Sequence, residues 1–490
     1  MFSPQSIPVP MGTLDSNSNL QLNPTIKSNL SDNYEEGINM TNDNDNIIYE
    51  EEDINSSRTH SSLSQSNKSY CGIKANSVLS GILNICASAV GAGCFTFPWI
   101  IANLGIINST FIFILVTLCT YYSFDLLRSF VVDTKYFSFS LMTETTLGKK
   151  WLMVYSFSSF IYYLSININY LSLLYSIFKS CFISHSTFIG FNFLLFTCSI
   201  EIFLCLYTNK IEKLNLFSIF TMANFAIIVL VTIIEGIHSS IKNEYIGEKF
   251  STQNLLNPSK DESRWKVFFA SITACIKYIY GYSYNCSFPT LIGNLKNVND
   301  TNSKKVHNIS FIIICSTYFL IGFFGYLFRD HVPTVLFREY EDSMERDYFT
   351  ISIKVILFFF LFSLVPNRYI VIRDGYNLLI GKEKLTYKKD LLITTLTLVL
   401  SNGIVFLNEE LFVEEGNIQI DIFSIMVYIF GGLFGVIISF GLPVINYAAV
   451  NGKKKLKSLI GYGITGLFLV IGLLSFGYSF YELTNKNEDE

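Results

Sequence analysis

Apolar residues along this chain gather in long blocks instead of alternating with polar ones. Eleven blocks are long enough to be read as membrane-crossing helices: 77–104, 106–127, 151–178, 187–207, 214–235, 266–290, 307–328, 348–372, 390–408, 420–446 and 457–480. The hydrocarbon core of a bilayer is about 30 Å thick, and about 20 residues of helix cross it. In lipid, backbone N–H and C=O groups must be paired within the spanning element, so each block is expected to be helical. The block 390–408 is the weakest, being Thr-rich and ending near Asn402 and Gly403. The pattern predicts an all-α polytopic membrane protein with about eleven transmembrane helices.

What flanks the blocks is polar. Residues 1–76 are rich in Asn, Ser, Asp and Glu, as at Asn42 to Asn46 and Glu50 to Asp53, and hold no apolar run of signal-peptide length. Such a segment cannot bury enough apolar surface to fold and is expected to be a disordered tail. Residues 77–480 then form one transmembrane domain and 481–490 a short tail. Lys and Arg mark the cytoplasmic connections. They cluster on alternate loops, at Lys149 and Lys150, Lys304 and Lys305, Arg368 to Lys389, and Lys453 to Lys457. The opposite loop 409–419 carries Glu409, Glu410, Glu414 and Glu415 with no Lys or Arg. This alternation puts the N-terminus in the cytoplasm and, with an odd number of spans, the C-terminus outside or in a lumen.

Composition agrees. Of 490 residues, 50% are hydrophobic and 15% charged, against about 25% charged in soluble domains. The 16% aromatic content suits a protein with two membrane interfaces. The net charge of −4 and the absence of a basic domain give no reason to expect nucleic acid as a partner. The bilayer is the expected surrounding, and no protein partner can be named. Eight of the cysteines fall in apolar blocks, Cys71 precedes the first, and Cys181 is placed in a short loop. None has CxxC or zinc-ligand spacing, so neither a disulfide framework nor a metal site is expected.

Two blocks are interrupted in the same way. The first runs Asn84 to Val90-Gly91-Ala92-Gly93 and on to Pro98; the sixth runs Lys277 to Tyr280-Gly281-Tyr282-Ser283 and on to Pro289. Glycine costs about 1 kcal/mol against alanine in a helix, and proline removes a backbone hydrogen bond. Non-helical backbone at membrane depth persists only where protein or a water-filled cavity satisfies it. The two breaks open corresponding five-helix halves, which points to a midplane site in an inverted-repeat transporter. Freed amides at a half-helix start suit a carboxylate, and freed carbonyls suit an ammonium group or a cation. An amino acid offers both charges. The plainer reading makes Gly91 and Gly93 packing residues between helices.

These features resemble the amino acid/auxin permease family, within the amino acid–polyamine–organocation superfamily. The residues that carry the resemblance are Asn84, Gly91, Gly93 and Pro98; Leu147 to Lys150; the region 281–328 through Tyr318, Gly322 and Gly325; Phe362 to Arg368; and Gly431 to Pro443. The resemblance implies a LeuT-type fold, with a 5+5 inverted repeat plus one helix and with helices one and six discontinuous. It implies secondary active transport of amino acids by alternating access, coupled to H⁺ or Na⁺, with no other cofactor. By the same resemblance Asn84, Val90, Gly91, Gly93, Tyr170, Tyr280, Gly281 and Ser283 line the substrate site. Ser363 stands where sodium-coupled members often have Thr, and so bears on the coupling ion. Some animal members carry an outer-loop disulfide, which Cys181 alone cannot form.

Charges inside spans are functional candidates by default. Lys277 lies near the midplane, too deep to snorkel, and is a candidate coupling group; its plainer role is an ion pair, for instance with Glu201. Asp125, Arg128 and Lys354 lie near helix ends and are expected to snorkel. Glu144 is expected in a loop. Alternatives to an amino acid transporter are a carrier of another small amine or polyamine, and an amino acid sensor or receptor. An enzyme is not expected, for want of an HExxH or Ser/His constellation. Nor is a channel, for want of a filter-like repeat. The plasma membrane and a vacuole-like or endolysosomal membrane are equally compatible with the sequence.

Overall fold

Helices occupy every one of the eleven apolar blocks in the computed structural model of the chain. The structure describes residues 69–70, 73–74, 76–181, 187–207, 211–242, 249–251, 264–328, 332–333, 335–336, 348–381, 386–408 and 422–485. Residues 57–490 form one unit. Most of the expected N-terminal tail, the loop 409–419 and the last residues, 486–490, lie outside the described residues. Within the tail, Ser69–Tyr70 (β1) and Ile73–Lys74 (β2) pair as two-residue antiparallel strands. The Asn76 carbonyl accepts a bond from the Lys296 amide at 3.0 Å.

The helices, in chain order, are α1 (Val78–Ala89), α2 (Phe97–Leu104), α3 (Ile106–Thr134), α4 (Phe139–Leu147), α5 (Lys149–Cys181), α6 (Thr187–Tyr207), α7 (Ile211–Lys242), α8 (Arg264–Gly281), α9 (Phe288–Gly293), α10 (Asp300–Phe328), α11 (Tyr348–Leu379), α12 (Tyr387–Phe406), α13 (Ile422–Ile425), α14 (Leu442–Asn451) and α15 (Leu456–Asn485). Between α13 and α14 the chain runs in π geometry over Met426–Gly435 and Ile437–Gly441. Cys181 and Glu144, expected in loops, belong to α5 and α4.

Among the described residues, seven helices are long and apolar enough to cross a membrane, and the bent pair α1–α2 makes an eighth. The remaining three blocks hold α5, α6 and α8, which fall outside that count. Polar content in α5 has a physical reason: Ser159, Ser165, Asn167, Asn169 and Ser172 are all buried, so its polar side chains point into the protein. The lipid-facing surface is apolar instead, with Phe111, Leu118, Phe196, Phe203, Ile312, Leu400 and Leu473 exposed. This inverts the soluble pattern, because the bilayer is as apolar as the core.

Local sequence explains the joints. The Ser77 hydroxyl caps α1 by accepting the Ser80 amide at 3.2 Å. Gly105, at φ 79°, turns the chain from α2 into α3 in a single residue, a backbone region closed to most side chains. Backbones also meet where side chains are missing. A Cβ on Gly472 of α15 would fall 2.0 Å from the Gly432 carbonyl oxygen, so α15 and the π run touch main chain to main chain.

Arg128 reaches an exposed acid at the head of another helix. It is 5% exposed and bonds Asp125 at 2.9 Å and Asp300 at 2.5 Å, tying α3 to the start of α10. Lys354 is also buried, at 8%.

Candidate functional site

Both expected breaks are present. Helix α1 stops at Ala89; Val90 (φ −62°, ψ 132°) and Gly91 (φ −162°, ψ 178°) are extended. A 3-10 turn, Ala92–Thr96, then leads into α2, with Pro98 in its first turn. The two half-helices meet at 53°. Helix α8 stops at Gly281, turns through Tyr282 to Ser287, and restarts as α9 with Pro289 in its first turn. Proline fits there because a helix's first amides have no intrahelical acceptor to lose.

The breaks touch each other. A Cβ on Gly93 would stand 3.2 Å from Gly281 Cα and 3.3 Å from the Tyr280 ring. Side chains from three other helices take the freed carbonyls. From α10, the Tyr318 hydroxyl lies 2.8 Å from the Ala89 oxygen and 2.7 Å from the Gly281 oxygen, one on each side of the contact. A phenol has one proton, so it donates to one of them at a time. From α5, the Tyr163 hydroxyl donates to the Ser283 oxygen at 3.1 Å. From α11, Arg368 donates to that oxygen through Nη1 at 2.5 Å, and its Nη2 stands 3.5 Å from the Val90 oxygen. Beside Gly91 stand Arg368 and a further side chain of α5, Tyr170. A Cβ there would be 2.1 Å from Tyr170 Oη and 3.5 Å from Arg368 Nη2.

The transmembrane amino acid transporter protein family matches residues 74–484. The chain belongs to this family. No curated protein matches the transporter in sequence. Among solved structures, a variant of a manganese transporter from Eremococcus coleocola is 11% identical, with 84% of this chain and 88% of that one covered at a TM-score of 0.58. The same organism's transporter in complex with an aromatic bis-isothiourea substituted compound is 9% identical, covering 85% and 90%, at 0.54. A Na⁺-coupled sialic acid symporter in a substrate-bound outward-open state is 12% identical, covering 82% and 88%, at 0.50. At such identities the likeness establishes the fold, which is the LeuT type. The transporter is thus a multi-pass membrane protein and a secondary carrier of a small molecule, and not an enzyme.

Of the residues expected at its site, Val90, Gly91, Gly93, Tyr170, Tyr280, Gly281 and Ser283 all lie at or against the two breaks. All are buried. Tyr280 is held by the Asn169 amide at 2.8 Å, and Gly431 of the π run packs on its ring, its Cβ position 3.1 Å away. Asn84 lies elsewhere: it is half-buried on α1, seven residues before Gly91, or roughly 10 Å along the helix. Ser363 donates to the Phe360 carbonyl at 2.7 Å and bonds Thr221 of α7 at 2.8 Å.

Lys277 is one turn before the second break and 1% exposed. Its amine stands 3.5 Å from the centroid of the Trp99 ring on α2 and 5.3 Å from that of Tyr428, a cation–π arrangement. Glu201 does not pair with it: that carboxylate faces the Asn402 amide at 3.4 Å.

Arg368 is the residue that sequence reasoning missed. Grouped with the cytoplasmic-loop charges, it sits instead inside α11, 2% exposed, at the meeting point of the breaks. The available signal was its position within the apolar block 348–372, two residues after Pro366.

Proposed function

We propose that this transporter moves amino acids by alternating access, coupled to a cation gradient, with the substrate held between the two breaks. The observation that carries this reading is the contact of Gly93 with Gly281 beside the buried guanidinium of Arg368. Carbonyl oxygens released by the breaks and a buried guanidinium lie side by side, and a zwitterion carries the charges that match them. The permanent positive charge of Arg368 disfavours a polyamine, which would bring only like charge into a low-dielectric site. A divalent metal as cargo finds little support either. Among the described residues, no three His, Cys, Asp or Glu side chains stand together as ligands.

In this conformation the site is closed, since Tyr170 Oη fills the space beside Gly91. Admitting a carboxylate there requires Tyr170 to move, after which its hydroxyl becomes a donor to the substrate. The decisive experiment is uptake of radiolabelled amino acids into proteoliposomes, with and without an imposed pH gradient. Accumulation above equilibrium that follows the gradient is expected. Saturable binding with no accumulation under any ion gradient would instead indicate a sensor. Accumulation of polyamines with no amino acid uptake would replace the substrate class.

A further inference from the structure

We propose that Arg368 is the resident cation of this site: it stands where a sodium ion would bridge the broken helices, so transport proceeds without sodium, and it receives the substrate's carboxylate. The second half of this rests on the amino acid reading above; the first half does not.

Four observations carry it. First, Arg368 contacts the Ser283 oxygen at 2.5 Å and approaches the Val90 oxygen at 3.5 Å, one from each break. Carbonyls of unwound helices are the ligands that coordinate sodium in such transporters. A guanidinium on those oxygens supplies the charge that a sodium ion would bring, and it never deprotonates.

Second, the hydroxyl best placed by sequence to ligate an ion is engaged elsewhere. Ser363 Oγ is held by Phe360 and Thr221.

Third, Arg368 lacks a matching acid. Among the described residues, ion pairs are formed by Arg128 with Asp125 and Asp300, and no carboxylate reaches Arg368. Its surroundings are the ring faces of Tyr163 and Tyr170, at 5.9 and 6.0 Å, and its Nε has no hydrogen-bond partner. A buried charge without a counter-charge is costly, and an arriving carboxylate relieves that cost.

Fourth, the space beside Gly91 is bounded by Arg368 Nη2 and Tyr170 Oη, two donors converging on one point. Arginine and a hydroxyl together suit a carboxylate.

The test uses purified full-length protein. Thermal unfolding is followed by intrinsic fluorescence in sodium chloride and in choline chloride at equal ionic strength. Uptake is measured in liposomes with either cation outside. Wild type is expected to unfold at the same temperature in both salts and to transport equally well in both. Arg368→Gln removes the charge and keeps hydrogen-bonding capacity. It is expected to become sodium-stabilised by several degrees and to lose uptake at least about 30-fold. Stabilisation of wild type by sodium overturns the proposal, as does an Arg368→Gln variant that transports at the wild-type rate in choline. Should Arg368→Gln not fold, Arg368→Lys restores the charge without the planar fork. It is expected to stay indifferent to sodium while its KM rises about tenfold, and an unchanged KM overturns the carboxylate role. Sodium-indifferent unfolding combined with no uptake of any amino acid would sink the substrate reading and the carboxylate role and leave the cation assignment standing.

Discussion

The two breaks perform the same topological task by different physical means. The first joins two extended residues to a 3-10 turn, and it is defined by what cannot fit. Gly91 lies against Tyr170 Oη, and Gly93 against the backbone of Gly281. The second is an irregular turn, Tyr282 to Ser287, and it is defined by what holds it. Its Gly281 and Ser283 oxygens take donors from Tyr318, Tyr163 and Arg368. Missing side chains thus weigh most at the first break, where Tyr318 and Arg368 also reach the Ala89 and Val90 oxygens, and hydrogen-bond donors supplied by distant sequence weigh most at the second. Substitutions that add volume should damage the first, and substitutions that delete a donor should damage the second.

The largest effect is expected from adding volume. Gly91→Leu places a branched side chain where a single Cβ already stands 2.1 Å from Tyr170 Oη. Uptake should fall at least about 100-fold, as expected when a reacting or binding geometry is displaced by about 1 Å, while the protein remains in the membrane fraction. Near-normal uptake per mole of protein would show that the first break is not sterically defined. Next comes donor deletion. Tyr318→Phe keeps the ring and removes the hydroxyl near both the Ala89 and Gly281 oxygens. An unsatisfied buried acceptor costs about 1–3 kcal/mol. Transport should drop about tenfold, with a lower unfolding temperature; no change in either would mean that water serves those carbonyls equally well. The smallest effect on exchange is expected at Lys277, whose amine lies over Trp99 and so joins the second broken helix to the first. If Lys277 is the coupling group, Lys277→Met should abolish pH-driven accumulation while leaving counterflow exchange near the wild-type rate. Accumulation that keeps its full pH dependence removes Lys277 from the coupling mechanism.

The breaks were legible in the sequence because their causes are local. Glycine and proline act on their own backbone, so Gly91, Gly93, Pro98, Gly281 and Pro289 announce interruption without knowledge of any neighbour. Tyr170 was reachable through resemblance, although nothing local separates it from Tyr162 or Tyr163. Arg368 was not legible. Its meaning depends on Val90 and Ser283, remote in sequence, and a cation near the expected end of a span reads as a loop charge. The helix in fact continues to Leu379, which places Arg368 in the interior. The pairing of Arg128 was hidden for a related reason, since its partner Asp300 comes from the start of another helix. Asn84 shows the converse. Its place in the family pattern drew it toward the site, yet helical rise carries it along α1 away from Gly91. Long-range approach, and not local propensity, separates these outcomes.

The Gly432–Gly472 contact gives the last helix a mechanical position. Helix α15 turns Leu467, Val470, Leu473 and Leu474 outward, toward the acyl chains. On its inner side its main chain is seated against the π run with no side chain between to act as a cushion. The neighbouring Gly431 rests on Tyr280, which borders the contact of the two breaks. A sideways displacement of α15 would therefore meet main chain first and reach the Tyr280 ring through Gly431, so the last helix is braced against the broken pair as an outrigger is against a hull.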